Sequence, residues 1–194
     1  MKIDEWLNVL PIKGIIQVGS NVGQECTLFK KYTNNIICFE PIPYVFDILK
    51  KNKGIICFNF ALGEKNEMKK MYIASNNGES SSFLKPLNHI KEYNVSFKDT
   101  MELEIKRFDS LNIDMNKYNI LISDTQGYEV NVLKGFGDKL NNIDLIITEY
   151  IDSKLYENDS SLKNIINYLE KFNFKLKEKT ADPAGWGNAL FIKS

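Results

Sequence analysis

A short apolar run that ends in a glycine turn opens the regular part of this 194-residue chain: GIIQVGSNVG, residues 14–23. The run Gly14–Val18 has the length and apolar character of a buried strand. Gly19 and Gly23 allow the backbone to turn sharply and to come close to a ligand. A helix that begins after such a turn directs its free N–H groups into the same space. The stretch predicts a strand–turn–helix unit with a ligand site at its tip.

The same alternation of apolar strands and amphipathic helices continues to the C-terminus. Further strands are predicted over 35–39, 54–60, 68–74, 101–108, 118–123, 143–149, 174–179 and 189–193, and helices over 22–31, 43–52, 128–140 and 160–172. Alternating strands and helices predict an α/β fold with a largely parallel sheet and helices on both faces. Too few residues separate the last two strands for a crossover helix, so we expect an antiparallel hairpin at one sheet edge.

The pattern predicts one domain over residues 1–194, with a short N-terminal segment at 1–13. A polar stretch, 75–99, interrupts the alternation. Long loops inside compact domains are usually functional or mobile. We therefore interpret 75–99 as an inserted loop that contacts the acceptor substrate.

Composition disfavours two classes of partner. The 25 Lys+Arg balance the 25 Asp+Glu, and Arg107 is the one arginine, whereas nucleic-acid binders usually present a basic face. The apolar runs are far shorter than a membrane span, and the N-terminus lacks the apolar segment of a secretory signal. Three cysteines without metal-type spacing, Cys26, Cys38 and Cys57, favour a reducing, cytoplasmic compartment. We expect no nucleic-acid partner and no membrane partner.

Acidic residues follow the predicted parallel strands at their carboxyl ends, where doubly wound sheets bind ligands. Glu40 comes about 20 residues after the glycine turn, the distance at which a carboxylate accepts hydrogen bonds from a ribose diol. Asp124 follows the strand 118–123, and Glu149 ends the strand 143–149. With the glycine turn, Glu40 predicts an adenosine-type nucleoside site.

Asp124 and Glu149 suit two kinds of chemistry, proton abstraction and binding of a divalent cation. Two structural alternatives stay open: Asp124 as a helix N-cap and Glu149 as half of an ordinary salt bridge. His89, in the 75–99 loop, is a further candidate base. The G-x-x-x-G spacing differs from the dinucleotide fingerprint G-x-G-x-x-G, which argues against a nicotinamide dehydrogenase.

Three motifs in this order resemble the FkbM family of S-adenosylmethionine-dependent methyltransferases: VGSNVG at 18–23, FEP at 39–41 and DTQGYE at 124–129. FALG at 60–63, SSSF at 80–83 and NALF at 188–191 add to the resemblance, which extends from about residue 14 to the C-terminus. It implies a Rossmann-like class I methyltransferase fold, with a seven-stranded, mostly parallel sheet, an antiparallel last strand and helices on both faces.

The resemblance also implies an activity, O-methylation of a hydroxyl on a sugar, glycan or related natural product. Such domains also occur fused to glycosyltransferases, so a longer parent chain is one expectation. Carried over residue by residue, the family motif implies that S-adenosylmethionine contacts a set of strand-end residues. They are Gln17, Gly19, Ser20, Asn21 and Gly23 at the methionine end, Glu40 at the ribose, Pro41, Ile42, Ala61 and Leu62 around the adenosine, and Asp124 beside the transferred methyl group.

Two residues depart from the family pattern. Gln17 stands where an acidic residue usually precedes the turn, and Gln126 stands where the family often has glutamate. We therefore expect Asp124 as the catalytic base, with Glu149 and then His89 as alternatives, or a Mg²⁺ ion bridging Asp124 and Glu149. An RNA ribose 2′-O-methyltransferase and an inactive cofactor- or glycan-binding module are the alternative functions. Aromatic candidates for the acceptor site are Phe83, Tyr93, Tyr128, Tyr150 and Trp186.

Overall fold

The structure is a computed structural model that describes residues 2–97, 99–158 and 160–194. Its helices and strands follow in chain order, with four short 3₁₀ turns between them. They are α1 (Ile3–Leu7), β1 (Ile15–Val18), α2 (Cys26–Phe29), β2 (Ile36–Phe39), α3 (Pro43–Leu49), β3 (Ile56–Phe58), β4 (Ala61–Leu62), β5 (Glu67–Ile73), α4 (His89–Tyr93), β6 (Asp99–Lys106), β7 (Ile120–Ser123), α5 (Glu129–Phe136), β8 (Leu145–Ile151), α6 (Leu162–Leu169), β9 (Phe174–Lys179) and β10 (Trp186–Lys193).

Seven strands form the main sheet in the order β3-β2-β1-β7-β8-β10-β9. Neighbours from β3 to β8 pair in parallel, whereas β10 is antiparallel to both β8 and β9. The predicted Rossmann-like fold, with its antiparallel last strand and terminal hairpin, is confirmed. The strand order reverses between β1 and β7, which is where a doubly wound sheet opens a crevice for ligands.

The central strands are buried along their whole length. Continuous apolar runs are typical of parallel strands that helices cover on both faces. Side chains on one face pack with α5 and α6, while those on the other face pack with α1 and α2. Because the sheet is fixed from both sides, the residues at its carboxyl edge have a rigid support.

Two predicted elements are shorter in the structure. The helix predicted over 22–31 is reduced to α2, because Asn21 and Gly23 adopt positive φ angles of 44° and 84° and extend the turn. The strand predicted over 54–60 ends early as β3. The chain then leaves the main sheet, and β4 joins β5 and β6 in a second, three-stranded sheet.

The predicted loop 75–99 contains the short helix α4 and ends within β6, which begins at Asp99. Lys98 of that loop and Met1 of the N-terminal segment lie outside the described residues. The segment predicted over 1–13 contains α1, whose Trp6 is buried and donates its indole N–H to Glu178 of β9 at 3.0 Å. Within the described ranges, no helix has the length and apolar character needed to cross a bilayer.

Candidate active site

The carboxyl ends of β1, β2, β7 and β8 open into a cleft of about 910 Å³. The segment 76–93 and the β9–β10 connection form its outer walls. Twelve of the predicted site residues line the cleft: Gln17, Gly19, Ser20, Asn21, Glu40, Pro41, Ile42, Ala61, Leu62, His89, Asp124 and Glu149. Gly23 lies behind the turn instead, where an added Cβ would meet the side chains of Leu49, Asn52 and Cys26 at 2.8–2.9 Å.

The glycine turn brings the ends of β1 and β7 together. Gly19 has a φ of +77°, and a Cβ built on it would lie 1.8 Å from the carbonyl oxygen of Asp124. Backbone approaches this close require glycine. The turn therefore fixes the position of Asp124 relative to the end of β1.

Glu40 joins the turn to the end of β2. Its carboxylate accepts hydrogen bonds from the backbone N–H of Asn21 at 3.0 Å and of Ile42 at 2.8 Å. The side chain is only 4% exposed, and burial raises the pKa of Glu40 to about 7 against the opposing effect of the two N–H groups. Each carboxylate oxygen keeps a further lone pair, so Glu40 retains acceptor capacity for a ligand in the cleft.

Gln17, the first departure from the family pattern, is buried at the end of β1. Its amide nitrogen donates to the carboxylate of Glu25 at 3.1 Å, and its amide oxygen lies 3.8 Å from the Cys38 sulfur. Glu25 also lines the cleft. No sequence motif indicates a role for Glu25, because Glu25 lies beyond the glycine turn in a segment that is predicted to be regular helix.

Gln126, the second departure, lies between the two candidate catalytic carboxyls. Its amide nitrogen donates to Asp124 at 2.9 Å and to Glu149 at 2.8 Å. Its amide oxygen accepts from the Tyr156 hydroxyl at 3.0 Å. Gln126 has a φ of 54°, a left-handed conformation that is uncommon outside glycine. These hydrogen bonds hold the strained residue in place.

Asp124 and Glu149 share this amide but differ in environment. Asp124 is open to water inside the concave cleft, and enclosure by the surrounding protein raises the pKa of its carboxyl. Glu149 is buried, and burial followed by the negative charges of Asp124 and Glu129 raises its pKa well above the ordinary value. Two close carboxyls favour a state in which one keeps its proton.

Glu129 is a third carboxyl of this group. The motif DTQGYE at 124–129 includes this residue but does not indicate its role. Glu129 is fully buried, and one oxygen accepts from the N–H and hydroxyl of Thr125 and from the N–H of Gly127, at 2.9–3.2 Å. Burial raises the pKa of Glu129 to about 7. Glu129 therefore fixes the loop that carries Gln126.

The two structural alternatives for the carboxyl pair are wrong. α5 has Tyr128 at its N-cap position without a side-chain cap, so Asp124 does not cap it. Among the described residues, Glu149 has no Lys or Arg nitrogen within 4.0 Å.

A bridging Mg²⁺ ion does not fit this donor set. The amide nitrogen of Gln126 points at both carboxylates, whereas Mg²⁺ requires oxygen ligands. In the part of the chain that the structure describes, no group of three or more His, Cys, Asp or Glu side chains could hold a metal ion.

The outer wall of the cleft is aromatic. The Trp186 indole N–H donates to the Tyr93 hydroxyl at 3.0 Å, which links the start of β10 to α4. Phe83 and Tyr128 also line the cleft. Tyr150 instead donates its hydroxyl proton to the carbonyl of Thr180 at 2.7 Å and is buried.

His89 lies in the same wall and is 3% exposed. Its ring packs against Tyr156 and Phe97 at centroid distances of 4.3 and 5.1 Å. Thr180 and Asp182 are polar lining residues that the sequence patterns did not identify, because nothing in a short β9–β10 connection indicates that it folds over the cleft.

Comparison with known families decides what kind of site this is. Residues 17–176 match the family model described as the methyltransferase FkbM domain. The chain belongs to the FkbM methyltransferase family. The resemblance inferred from the motifs, and with it the expectation of an S-adenosylmethionine-dependent methyltransferase, is confirmed. The roles of the individual site residues stay predictions.

Relatives of this FkbM methyltransferase domain agree with the assignment. The chain is 27% identical over 173 residues to 2-O-methyltransferase NoeI of Sinorhizobium fredii, covering 81% of this chain and 71% of NoeI. In fold it resembles a ribosomal protein L11 methylase from Lactobacillus delbrueckii (TM-score 0.55, 11% identity, 98% and 75% of the two chains). It also resembles magnesium protoporphyrin IX methyltransferase from Synechocystis with bound SAM (TM-score 0.51, 9% identity, 100% and 77% coverage).

Proposed function

We propose that this FkbM domain transfers a methyl group from S-adenosylmethionine to a hydroxyl of a sugar or glycan. The observation that carries the proposal is that the carboxyl groups of Glu40, Asp124 and Glu149 line one cleft at the carboxyl edge of the sheet. Similarity to a protein named as a 2-O-methyltransferase supports oxygen as the methylated atom.

The cofactor half of the cleft has the chemistry that S-adenosylmethionine requires. Glu40 offers carboxylate lone pairs to a ribose diol, and Ala61 and Leu62 present apolar surface for the adenine. The turn residues Ser20 and Asn21 lie where the backbone comes closest to the ligand space. The cofactor, when bound, supplies an activated methyl group, so holding the acceptor oxygen in line is a major contribution of the protein.

The acceptor hydroxyl must lose its proton, and Asp124 is the residue we assign to accept it. Asp124 is open to the cleft, whereas Glu149 is buried behind Gln126. A raised pKa brings Asp124 closer to the working pH, which is favourable for a general base. Gln126 acts as a positioning residue, since its amide holds both carboxyls. Glu149 keeps its proton and leaves Asp124 as the ionised member.

A sugar acceptor suits the opposite wall of the cleft. Aromatic faces such as Trp186 and Tyr93 provide apolar surface with polar edges, and Asp182 adds a hydrogen-bond acceptor beside them. The chain has no net charge, which favours an uncharged acceptor over RNA. His89 packs between aromatic rings, so we assign it to the shape of this wall.

Substitution of Asp124 tests the proposal. We expect Asp124→Ala to reduce methyl transfer to a glycan acceptor by about 10²–10⁴-fold, the usual contribution of a general base, while calorimetry still detects S-adenosylhomocysteine binding. Asp47→Ala, an exposed carboxylate on α3, is the control and should retain full activity. EDTA should leave the wild-type rate unchanged. Full activity in Asp124→Ala would contradict the assignment of the base, and transfer to RNA but to no glycan would contradict the acceptor class.

A further inference from the structure

We propose that Glu25 binds the α-ammonium group of S-adenosylmethionine, replacing the carboxylate that related folds carry at position 17. The inference rests on the proposed cofactor and identifies a binding residue that the family motif does not contain. It also explains how the domain retains negative charge at the cationic end of the cofactor although Gln17 is neutral.

The contact between Gln17 and Glu25 carries the inference. The Gln17 amide nitrogen is directed at the Glu25 carboxylate, 3.1 Å away, and the Gln17 side chain is only 4% exposed. A buried amide has few alternative rotamers, so it fixes the carboxylate that it contacts. Gln17 therefore acts as a positioning residue. The negative charge that position 17 lacks is carried by Glu25, the side chain that Gln17 contacts.

The charge of Glu25 is not neutralised by the protein. Among the described residues, no Lys or Arg nitrogen lies within 4.0 Å of its carboxylate. Lys2, the lysine that lines the cleft, pairs with Glu178 at 2.5 Å instead. Glu25 accepts only the hydrogen bond from Gln17 within the described part of the chain, so its second oxygen is available to a ligand.

The position of Glu25 fits the end of the cofactor that carries the methionine moiety. It lies four residues after Asn21, close to the glycine turn, and lines the same cleft as Asp124. Burial is the main reason that the pKa of Asp124 is raised, and the negative charge of Glu25 adds to it.

Two ligands distinguish binding of the α-ammonium group by Glu25 from a purely structural role of this residue. S-adenosylhomocysteine carries the α-ammonium, whereas 5′-methylthioadenosine lacks the amino-acid moiety. We expect Glu25→Gln to weaken S-adenosylhomocysteine binding by roughly 10- to 100-fold, the effect of losing one charged hydrogen bond. Binding of 5′-methylthioadenosine, measured by the same calorimetry, should stay unchanged. Glu102→Gln, an exposed carboxylate on β6 outside the lining of the cleft, is the matched control and should affect neither ligand.

An exchange of the two side chains gives a second test. The variant Gln17→Glu/Glu25→Gln keeps the hydrogen bond between the two positions with donor and acceptor reversed. It should recover most of the S-adenosylhomocysteine affinity lost in Glu25→Gln. Unchanged affinity in Glu25→Gln, or an equal loss for both ligands, would overturn the inference while leaving the proposed function intact. If the wild type failed to bind S-adenosylhomocysteine, the proposed cofactor would be overturned, and this inference with it.

Discussion

Glu40 shows how a single residue can couple ligand binding to pH. Its two backbone N–H donors favour the ionised carboxylate, but burial has the larger effect and raises the pKa to about 7. Ribose hydroxyls that donate to the carboxylate would stabilise its ionised form further. Binding should therefore release a proton whenever the pH lies below that value.

We predict that the affinity for S-adenosylhomocysteine rises with pH up to about 7, by at most ~10-fold per pH unit. Glu40→Gln should weaken binding and remove this dependence. Calorimetry at pH 6 in buffers of different ionisation enthalpy measures the proton release directly. A wild-type protein that released no proton at pH 6, or a Glu40→Gln variant with an unchanged pH dependence, would contradict the role assigned to Glu40.

The cleft residues that the sequence predicted and those that it did not predict differ in the kind of backbone that carries them. Glu40 and Asp124 follow strands directly, so their position at the carboxyl edge follows from the α/β pattern alone. The contacts of Gln126 and the cleft position of Glu25, which the sequence did not predict, depend on irregular backbone. Gln126 has a φ of 54°, and Glu25 follows a turn with three positive φ angles. Side-chain direction in such turns depends on tertiary contacts, which periodicity does not report.

At the scale of elements, hydrophobic periodicity also does not predict where a strand ends. Residues 54–62 form a nearly continuous apolar run, yet the chain leaves the main sheet after β3. The amide of Asn59 donates to the carbonyls of Glu40 and Pro41 at 2.9 and 3.1 Å, and these bonds to the end of β2 redirect the chain. The long strand β8, in contrast, was predicted because burial on both faces leaves a nearly continuous apolar pattern.

A hydrogen bond between two side chains links α4 to the start of β10. Tyr93, the last residue of α4, and Trp186, the first residue of β10, meet through a 3.0 Å hydrogen bond over the cleft. We expect Trp186→Ala to raise the KM for the glycan acceptor by about 10-fold or more, consistent with loss of one large apolar contact, with S-adenosylhomocysteine binding unchanged. Leu176→Ala, an exposed apolar residue on β9, serves as the control. An unchanged acceptor KM in Trp186→Ala would remove this wall from the acceptor site.

For the whole molecule, balanced charge conceals an uneven distribution of carboxyls. The chain carries no net charge, yet Glu40, Glu129 and Glu149 are buried at one edge of the sheet. Burial raises the pKa of each of the three. Because the folded state then binds more protons than the unfolded state, the free energy of unfolding must fall as pH rises. A chain without net charge thus contains a group of buried carboxyls that makes the free energy of unfolding depend on pH.

Glu129 allows this dependence to be measured without changing a cleft residue. Burial raises the pKa of Glu129 to about 7 in the folded protein from an ordinary value of 4.5, a difference worth about 3 kcal/mol. This stability is fully present below pH 4.5 and is lost as the pH rises through 7. We predict that the ligand-free protein melts at a lower temperature at pH 8 than at pH 5, and that Glu129→Gln has a shallower dependence. Glu170→Gln, an exposed carboxyl, should retain the wild-type slope. Equal slopes for Glu129→Gln and the wild type would show that Glu129 is ionised throughout this range.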